Sequence, residues 1–118
     1  MTRRDEPLVW LGGAVTTPPM GEDARKQGGY LLRLLQGGES LGLPRSRPMP
    51  RIGPRCHELR IDDGETTWRI VYRIDRDAIL VLAVFHKKTR TTPRSVIETC
   101  RARAAAYDRD SENGRDDG

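Results

Sequence analysis

The chain has 118 residues, of which 36% are hydrophobic and 32% charged, and this size fits one domain with a modest core. Its net charge of +4 is unevenly spread, because residues 108–118 contain five acids and two arginines, a balance of −3 that leaves +7 for residues 1–107. A body with this charge favours binding to RNA, DNA or the ribosome surface, although a solubilising surface gives the same balance.

A strand and a helix are predicted in the first third of the chain. Residues 8–11 form a short apolar run that ends at Gly12-Gly13, which is typical of a strand. A helix is predicted over about residues 20–36, where one stripe of residues recurs at helical spacing: Ala24, Gly28, Leu31, Leu32 and Leu35. Each glycine of the Gly28-Gly29 pair costs roughly 1 kcal/mol relative to alanine, so a kink or a helical hairpin is an alternative.

A loop rich in proline and arginine is predicted from residue 37 to residue 55. It contains Arg45, Arg47, Arg51 and Arg55, and no acid follows Glu39 within it. Long ordered loops are usually binding elements or linkers. The charge favours a binding loop.

Three strands are predicted next, over residues 57–62, 66–75 and 78–86. The connections between them are short and rich in turn-forming residues, which indicates an antiparallel meander. The third strand is apolar on both faces and is therefore predicted to lie in the centre of the sheet.

A closing helix is predicted to start at Thr92-Pro93, with threonine as the cap and proline at the first helical position. It is predicted to dock on the sheet and to end at Tyr107, because residues 108–118 lack apolar anchors and are expected to be an acidic disordered tail. The predicted organisation is one α+β domain over residues 1–107 followed by this tail.

Charged side chains are predicted to gather on one face of the meander. By strand alternation Glu58 and Arg60 share one face, and Arg69 and Arg73 share one face of the next strand. The apolar residues are expected to turn to the helices, so these charges are predicted to converge on the opposite, open face. Metal-free RNA cleavage needs a proton acceptor for the ribose 2′-OH, cations for the pentavalent phosphorane and an acid for the leaving 5′ oxygen. The bland alternative is a solvated strand face on which Arg69 pairs with Glu58.

A second group of candidates follows the central strand. His86 is the candidate acid or base, because histidine titrates near neutral pH, and Lys87 and Lys88 come directly after it. An exposed basic turn is the alternative. His57, by contrast, falls on the apolar face and is predicted to be packed.

Cofactors, metals and membranes are not expected. Cys56 and Cys100 do not have metal-ligand spacing, and the chain contains neither a zinc or calcium motif nor a phosphate-binding loop. No apolar run approaches the ~20 residues that span a bilayer, and no secretory signal is visible, so a cytoplasmic location is predicted.

The order of elements, with Trp68-Arg69-Ile70-Val71-Tyr72 followed by Val84-Phe85-His86-Lys87-Lys88-Thr89, resembles the RelE and HigB toxin superfamily over about residues 7–107. More narrowly it resembles the phage-derived HigB-like group, whose first strand is like Val9-Trp10-Leu11-Gly12-Gly13 and which has a segment like His57-Glu58-Leu59-Arg60. The resemblance implies a RelE-like fold, cleavage of mRNA in the A site of the 30S ribosomal subunit and inhibition by an antitoxin, often a helix-turn-helix protein.

Residue roles follow from the same resemblance. Arg69 matches the strand arginine that stabilises the transition-state phosphate, Arg60 matches a strand lysine, and Lys87 or Lys88 matches a basic residue after the last strand. The chain departs from the pattern where Glu58 replaces a second lysine and where Val96 and Ile97 stand in place of an aromatic residue. The general base is therefore open between Glu58 and His86. The expected RNA-binding residues are Arg51, Arg55, Arg60, Arg73 and Arg90.

Two other functions fit the same fold. A toxin of the ParE type would poison DNA gyrase without cleaving RNA, and a phage-derived nucleic-acid-binding protein would need no toxicity. The basic residues Arg60, Arg69, Lys87 and Lys88 favour the nuclease, because a gyrase poison needs no phosphate-cleaving site.

Overall fold

Five strands and two helices make up the part of the chain that the computed structural model describes, residues 6–11, 20–64, 66–87 and 90–116. The elements in chain order are β1 (Leu8–Trp10), α1 (Glu22–Gln36), β2 (Ser46–Pro48), β3 (Cys56–Asp63), β4 (Thr66–Ile74), β5 (Ile79–Lys87) and α2 (Arg94–Asp116). The strands form one mixed sheet in the order β1-β5-β4-β3-β2. The α+β class is confirmed.

The predicted meander forms the centre of this sheet, but it is not the whole sheet. β3, β4 and β5 pair antiparallel as expected. β1 adds to the far side of β5 in parallel, with Leu8 opposite Ile79. β5 therefore has a neighbour on each side, which confirms the central position that its apolar faces predict.

The fifth strand lies inside the segment predicted to be a loop. β2 pairs antiparallel with β3, with Arg47 opposite Glu58 and Pro48 opposite His57. A proline is tolerated here because β2 is the edge of the sheet and needs no hydrogen bond from that nitrogen on its outer side. The buried hydroxyls of Ser46 and Tyr72 are 2.7 Å apart and hydrogen bonded, so the proline-rich segment is fastened to the sheet.

Helix α1 is continuous through Gly28-Gly29, so neither the kink nor the hairpin forms. The predicted stripe is confirmed, because all five of its residues are buried. A Cβ at position 28 would lie 2.8 Å from Ile61 Cδ1, which shows how closely the helix backbone approaches β3. The glycine costs helix propensity and permits this contact.

Gly29→Ala is expected to raise the free energy of unfolding by about 1 kcal/mol, the usual gain over glycine in a helix. Gly29 is exposed, and nothing lies within 4 Å of the position that its Cβ would take. Gly28→Ala makes the same propensity gain but must displace Ile61, so it should be less stable than Gly29→Ala. Urea denaturation of both variants measures the difference, and the reverse order of stabilities would contradict the packing described.

The two helices lie on opposite faces of the sheet. One buried cluster joins α1 to Ile61, Trp68 and Ile70, and a second joins Ile97, Cys100 and Ala104 of α2 to the other face. The prediction that the charged face is open is therefore wrong for the part that α2 covers. Neither helix of the described residues combines the length and apolar character that crossing a bilayer requires.

Helix α2 does not stop at Tyr107, where the sequence predicts its end, but continues to Asp116. The predicted disorder from residue 108 is therefore wrong for residues 108–116. Arg73 explains part of the difference: its Nη1 and Nη2 donate to the two Asp108 oxygens at 3.1 and 2.7 Å. An ion pair thus holds the helix to the sheet where apolar anchors are missing.

Asp108→Asn is expected to reduce the loss of stability in acid. The hydrogen bonds from Arg73 hold the pKa of Asp108 below its ordinary value of 3.8. The ionised carboxylate is thus favoured in the folded state, and its stabilisation is present above the unfolded pKa and is lost as the pH falls through the lower folded pKa. Thermal unfolding from about pH 6 to about pH 2 should show a flatter fall for Asp108→Asn than for wild type. Asp110→Asn, on the exposed side of α2, is the control and should follow wild type.

Candidate nucleic-acid interface

Glu58, Arg60 and Arg69 lie on one face of the sheet, as strand alternation predicts. Arg60 of β3 stands directly opposite Arg69 of β4, and Glu58 lies two residues before Arg60 on the same strand. Opposite Glu58 on the other side is Arg47 of β2. Two arginines, Arg47 and Arg69, therefore lie against one glutamate at the end of the sheet where α2 begins, and Arg60 stands beside Arg69.

Glu58 is enclosed by these neighbours, and its side chain is 0% exposed. Its Oε1 accepts a hydrogen bond of 3.2 Å from Arg47 Nη2 and lies 3.6 Å from Arg69 Nε. Its Oε2 accepts a 2.6 Å hydrogen bond from the Thr92 hydroxyl. A carboxylate in this position orients two guanidinium groups and faces no solvent from which a ribose hydroxyl could approach.

Arg69 is 16% exposed and strongly influenced by its surroundings. Burial lowers its pKa from the ordinary value; Glu58 opposes this change, whereas Arg60 and Arg47 add to it. An arginine with so high an intrinsic pKa nevertheless keeps its charge. The Nε atoms of Arg69 and Arg47 are buried without a hydrogen-bond partner, so the cluster has more positive charge and more donors than Glu58 satisfies.

His86 does not join this cluster. The register between β4 and β5 shifts between Val71, opposite Ala83, and Tyr72, opposite Val81, so that Leu82 is an additional residue on β5. Such a bulge reverses the alternation of the residues after it. His86 consequently lies opposite Trp68, with ring centroids 5.1 Å apart, on the face that α1 covers. The prediction that His86 shares a surface with Arg69 is wrong.

A residue of α2 forms a hydrogen bond to the bulge. The extra residue leaves the Leu82 carbonyl out of the regular ladder, and Arg103 Nη1 donates to that oxygen at 2.6 Å. His57, on the other hand, stacks on Tyr72 at 5.3 Å, which confirms the prediction of a packed histidine. Of the lysine pair, the Lys87 backbone lies opposite Thr67, while the Lys87 side chain and the whole of Lys88 lie outside the described part of the structure.

The predicted RNA-binding arginines divide into two groups. Arg51 and Arg90 line a groove of 250 Å³ together with Arg47, close to the start of α2. Arg60 is next to Arg69 and pairs with Asp62 at 3.2 Å. These residues and the Glu58 cluster occupy one end of the molecule.

The second group has a structural role. Arg73 is 7% exposed and donates to both Asp75 and Asp108. Arg55 lies 3.7 Å from the same Asp75. Both arginines therefore bind carboxylates of this chain, and neither lines the groove formed by Arg47, Arg51 and Arg90.

Two contacts of the site were not predicted. The sequence predicts a loop at Arg47, since a strand of three residues has too little periodicity to reveal which side chain faces Glu58. Thr92 was interpreted as a helix cap, but its hydroxyl donates to Glu58 and Pro93 accepts the first helical hydrogen bonds, from Val96 and Ile97. Within the described residues, no group of three histidine, cysteine or acidic side chains is arranged to hold a metal ion.

A comparison with protein families places this geometry in context. The model of the family described as Phage derived protein Gp49-like (DUF891) matches residues 19–105, from just before α1 to well into α2. No match is found among curated proteins. The matched segment spans most of the chain and includes β2 to β5 with the Glu58 cluster. The chain therefore belongs to the Gp49-like family of phage-derived proteins, a family of the RelE/HigB toxin-like type.

Proposed function

We propose that this protein is the toxin of a type II toxin-antitoxin pair and that it cleaves mRNA on the ribosome without a metal ion. The observation that carries the proposal is the pair of arginines Arg47 and Arg69 on the enclosed Glu58, with Arg60 opposite Arg69 on the next strand. The cluster has more cationic hydrogen-bond donors than its own carboxylate satisfies, and a transition-state phosphate requires such donors. The chain that carries it belongs to a toxin-like family. This activity implies that the protein acts in the cytoplasm, where mRNA is translated.

The proposed reaction is an attack of the ribose 2′ oxygen on the adjacent phosphorus. The new bond forms as the bond to the 5′ oxygen breaks, which leaves a 2′,3′-cyclic phosphate and a 5′ hydroxyl. One proton must leave the 2′-OH, and another must reach the 5′ oxygen. Arg69 and Arg60 bind the phosphate oxygens and stabilise the additional negative charge of the pentavalent state.

Glu58 is assigned a positioning role, because its carboxylate contacts Arg69, Arg47 and Thr92 and faces no solvent. The two proton transfers are assigned to Lys87, the last residue of β5, and to Lys88, the next residue in the sequence. In this assignment one lysine accepts a proton as the neutral amine and the other donates one as the ammonium.

The partner is an antitoxin, and a small helix-turn-helix protein encoded beside the toxin gene is the expected candidate. Co-expression of that neighbour should restore growth to cells that carry the induced toxin. The same neighbour should co-purify with the toxin. Growth arrest that persists in its presence would exclude it as the antitoxin.

Induced expression followed by mapping of mRNA 5′ ends tests the nuclease. We expect cuts in register with codons in translated messages, and loss of those cuts from a message whose start codon is mutated. Growth arrest without such cuts would reject the nuclease. Arrest with gyrase-dependent DNA breaks would point to a toxin of the ParE type.

A second candidate is an RNA-binding protein that does not cleave. It is favoured by the enclosure of Glu58 and by the position of His86 on the α1 face, which remove both expected bases from the arginine cluster. Under this alternative the purified protein binds ribosomes and mRNA, and the bound message stays intact. Cleavage that disappears in a Lys87→Ala, Lys88→Ala double variant would exclude it.

A further inference from the structure

We infer that the groove between β2 and the start of α2 binds the backbone of a single-stranded RNA, next to the phosphate held by Arg69. The identity of the ligand rests on the proposed function, whereas the groove itself is a feature of the fold. The groove has a volume of 250 Å³ and nine lining residues: Arg47, Pro48, Met49, Pro50, Arg51, Arg90, Thr91, Thr92 and Ile97.

Arg47 connects the groove to the Arg69 site. Its side chain is 41% exposed, and one face of it lines the groove. Its Nη2 contacts Glu58 Oε1, the same oxygen that lies 3.6 Å from Arg69 Nε. An RNA strand with one phosphate at Arg69 would therefore pass Arg47 next and then enter the groove.

The charge of the groove selects an anion. Three of its lining residues are arginines, and none is an acid. A neighbouring groove of 320 Å³ shares Arg51 and Ile97 with it and adds Arg94 and Arg101. The one acid there, Glu98, is occupied by Arg94 at 3.3 Å. The positive charge thus extends from the first groove along the exposed side of α2.

The mixture of side chains favours a nucleic-acid strand over an acidic protein segment. Arginine binds phosphate through two parallel N–H groups, and Arg51 and Arg90 are both exposed at the groove. The same groove is lined by the exposed, rigid rings of Pro48 and Pro50 and by the buried side chains of Met49 and Ile97. Proteins that bind single strands without sequence preference use a positively charged groove for the backbone, and here proline rings offer apolar contact where aromatic side chains usually stack on the bases.

Binding of a non-cleavable RNA tests the inference. The probe is a fluorescein-labelled single-stranded oligoribonucleotide with 2′-O-methyl groups throughout, and the readout is fluorescence anisotropy between about 50 and 200 mM salt. Arg51→Ala and Arg90→Ala should each weaken binding roughly fivefold, the loss of about 1 kcal/mol. Each should also lower the slope of log K against log salt by about 0.7, the value for one phosphate contact on a single strand. The double variant should lose about twice that slope.

Arg76→Ala is the matched control, because Arg76 is exposed on the turn between β4 and β5, away from the groove. If Arg76→Ala lowers the slope as much as Arg51→Ala does, the attraction is general and the groove is not a site. If Arg69→Ala weakens binding while both groove variants bind as wild type, the groove inference fails and the proposed function stands. If wild type does not bind the probe at about 50 mM salt, the groove inference fails, whereas the proposed function is decided by the mapping of mRNA 5′ ends. If Arg51→Ala and Arg90→Ala lose binding to a polyglutamate peptide but bind RNA as wild type does, the groove binds an acidic protein segment and the inference fails.

Discussion

Arg69→Ala is expected to lower the rate of mRNA cleavage by about 10²-fold or more, the loss that follows when a donor to transition-state charge is removed. Arg69 is positioned by its strand and by Glu58, whose Oε1 lies 3.6 Å from its Nε, so its guanidinium is oriented before a phosphate arrives. The extra charge develops only in the pentavalent state. The loss should therefore appear mainly in kcat, as measured by single-turnover cleavage of ribosome-bound message.

Arg69→Lys separates charge from geometry in the same assay. It keeps one positive charge but loses the planar pair of donors, so we expect a rate between those of wild type and Arg69→Ala. Arg76→Ala, on the exposed turn between β4 and β5, is the control for a general loss of positive charge and should cleave as wild type. Equal rates for wild type and a folded Arg69→Ala variant would exclude Arg69 from the chemistry.

The faces of the central strands could be predicted from the sequence because alternation is a local property. Trp68, Ile70 and Tyr72 pack in the α1 cluster, and Arg69 lies on the other face, as period two requires. The helical stripe of α1 was predictable for the same reason. A hydrophobic pattern that repeats over five or more residues is enough to predict which face of a strand or helix is buried.

The elements that were not predicted depend on contacts with distant residues. β2 is a strand because β3 offers it a partner, not because Ser46, Arg47 and Pro48 favour strand structure. The bulge at Leu82 moves His86 to the other face, and its carbonyl is bound by Arg103 from α2. A single extra residue thus reverses every later assignment on the strand, and no local pattern announces it.

The candidate site was predicted in part for the same reasons. Glu58, Arg60 and Arg69 were brought together by counting along two adjacent strands. Two further residues complete the surroundings of Glu58. Arg47 comes from the edge strand β2, and Thr92 comes from the segment just before α2, 34 residues after Glu58. Neither contact could be deduced without the fold, and together they convert an expected base into an enclosed carboxylate.

Glu58→Ala is expected to lower the free energy of unfolding by about 3 kcal/mol, at the lower end of the range for loss of one partner from a buried ion pair. The substitution removes the acceptor for Arg47 and Thr92 and the carboxylate oxygen that lies 3.6 Å from Arg69 Nε. Arg69 would keep its charge with 16% of its side chain exposed, which is why the loss is large. Arg47 is more exposed and can turn to solvent, so its lost contact adds less to the destabilisation.

Glu58→Gln keeps the size of the side chain and one acceptor oxygen but removes the charge, so its loss should be smaller than that of Glu58→Ala. Glu98→Ala, which breaks only an exposed pair with Arg94, is the control and should change stability by no more than about 0.5 kcal/mol. Urea denaturation of these variants, together with Arg69→Ala and the Glu58→Ala, Arg69→Ala double variant, gives the coupling between the two residues.

The two substitutions should be less destabilising together than the sum of the two alone, because Arg69 no longer lacks a partner once it is absent. A coupling near zero would mean that Glu58 stabilises the fold only through Arg47 and Thr92 and does not position Arg69. The cleavage assay then gives an independent result. If Glu58 orients Arg69, folded Glu58→Gln should lose rate with little change in KM; if Glu58 is only a structural anchor, its rate should match wild type below the unfolding transition.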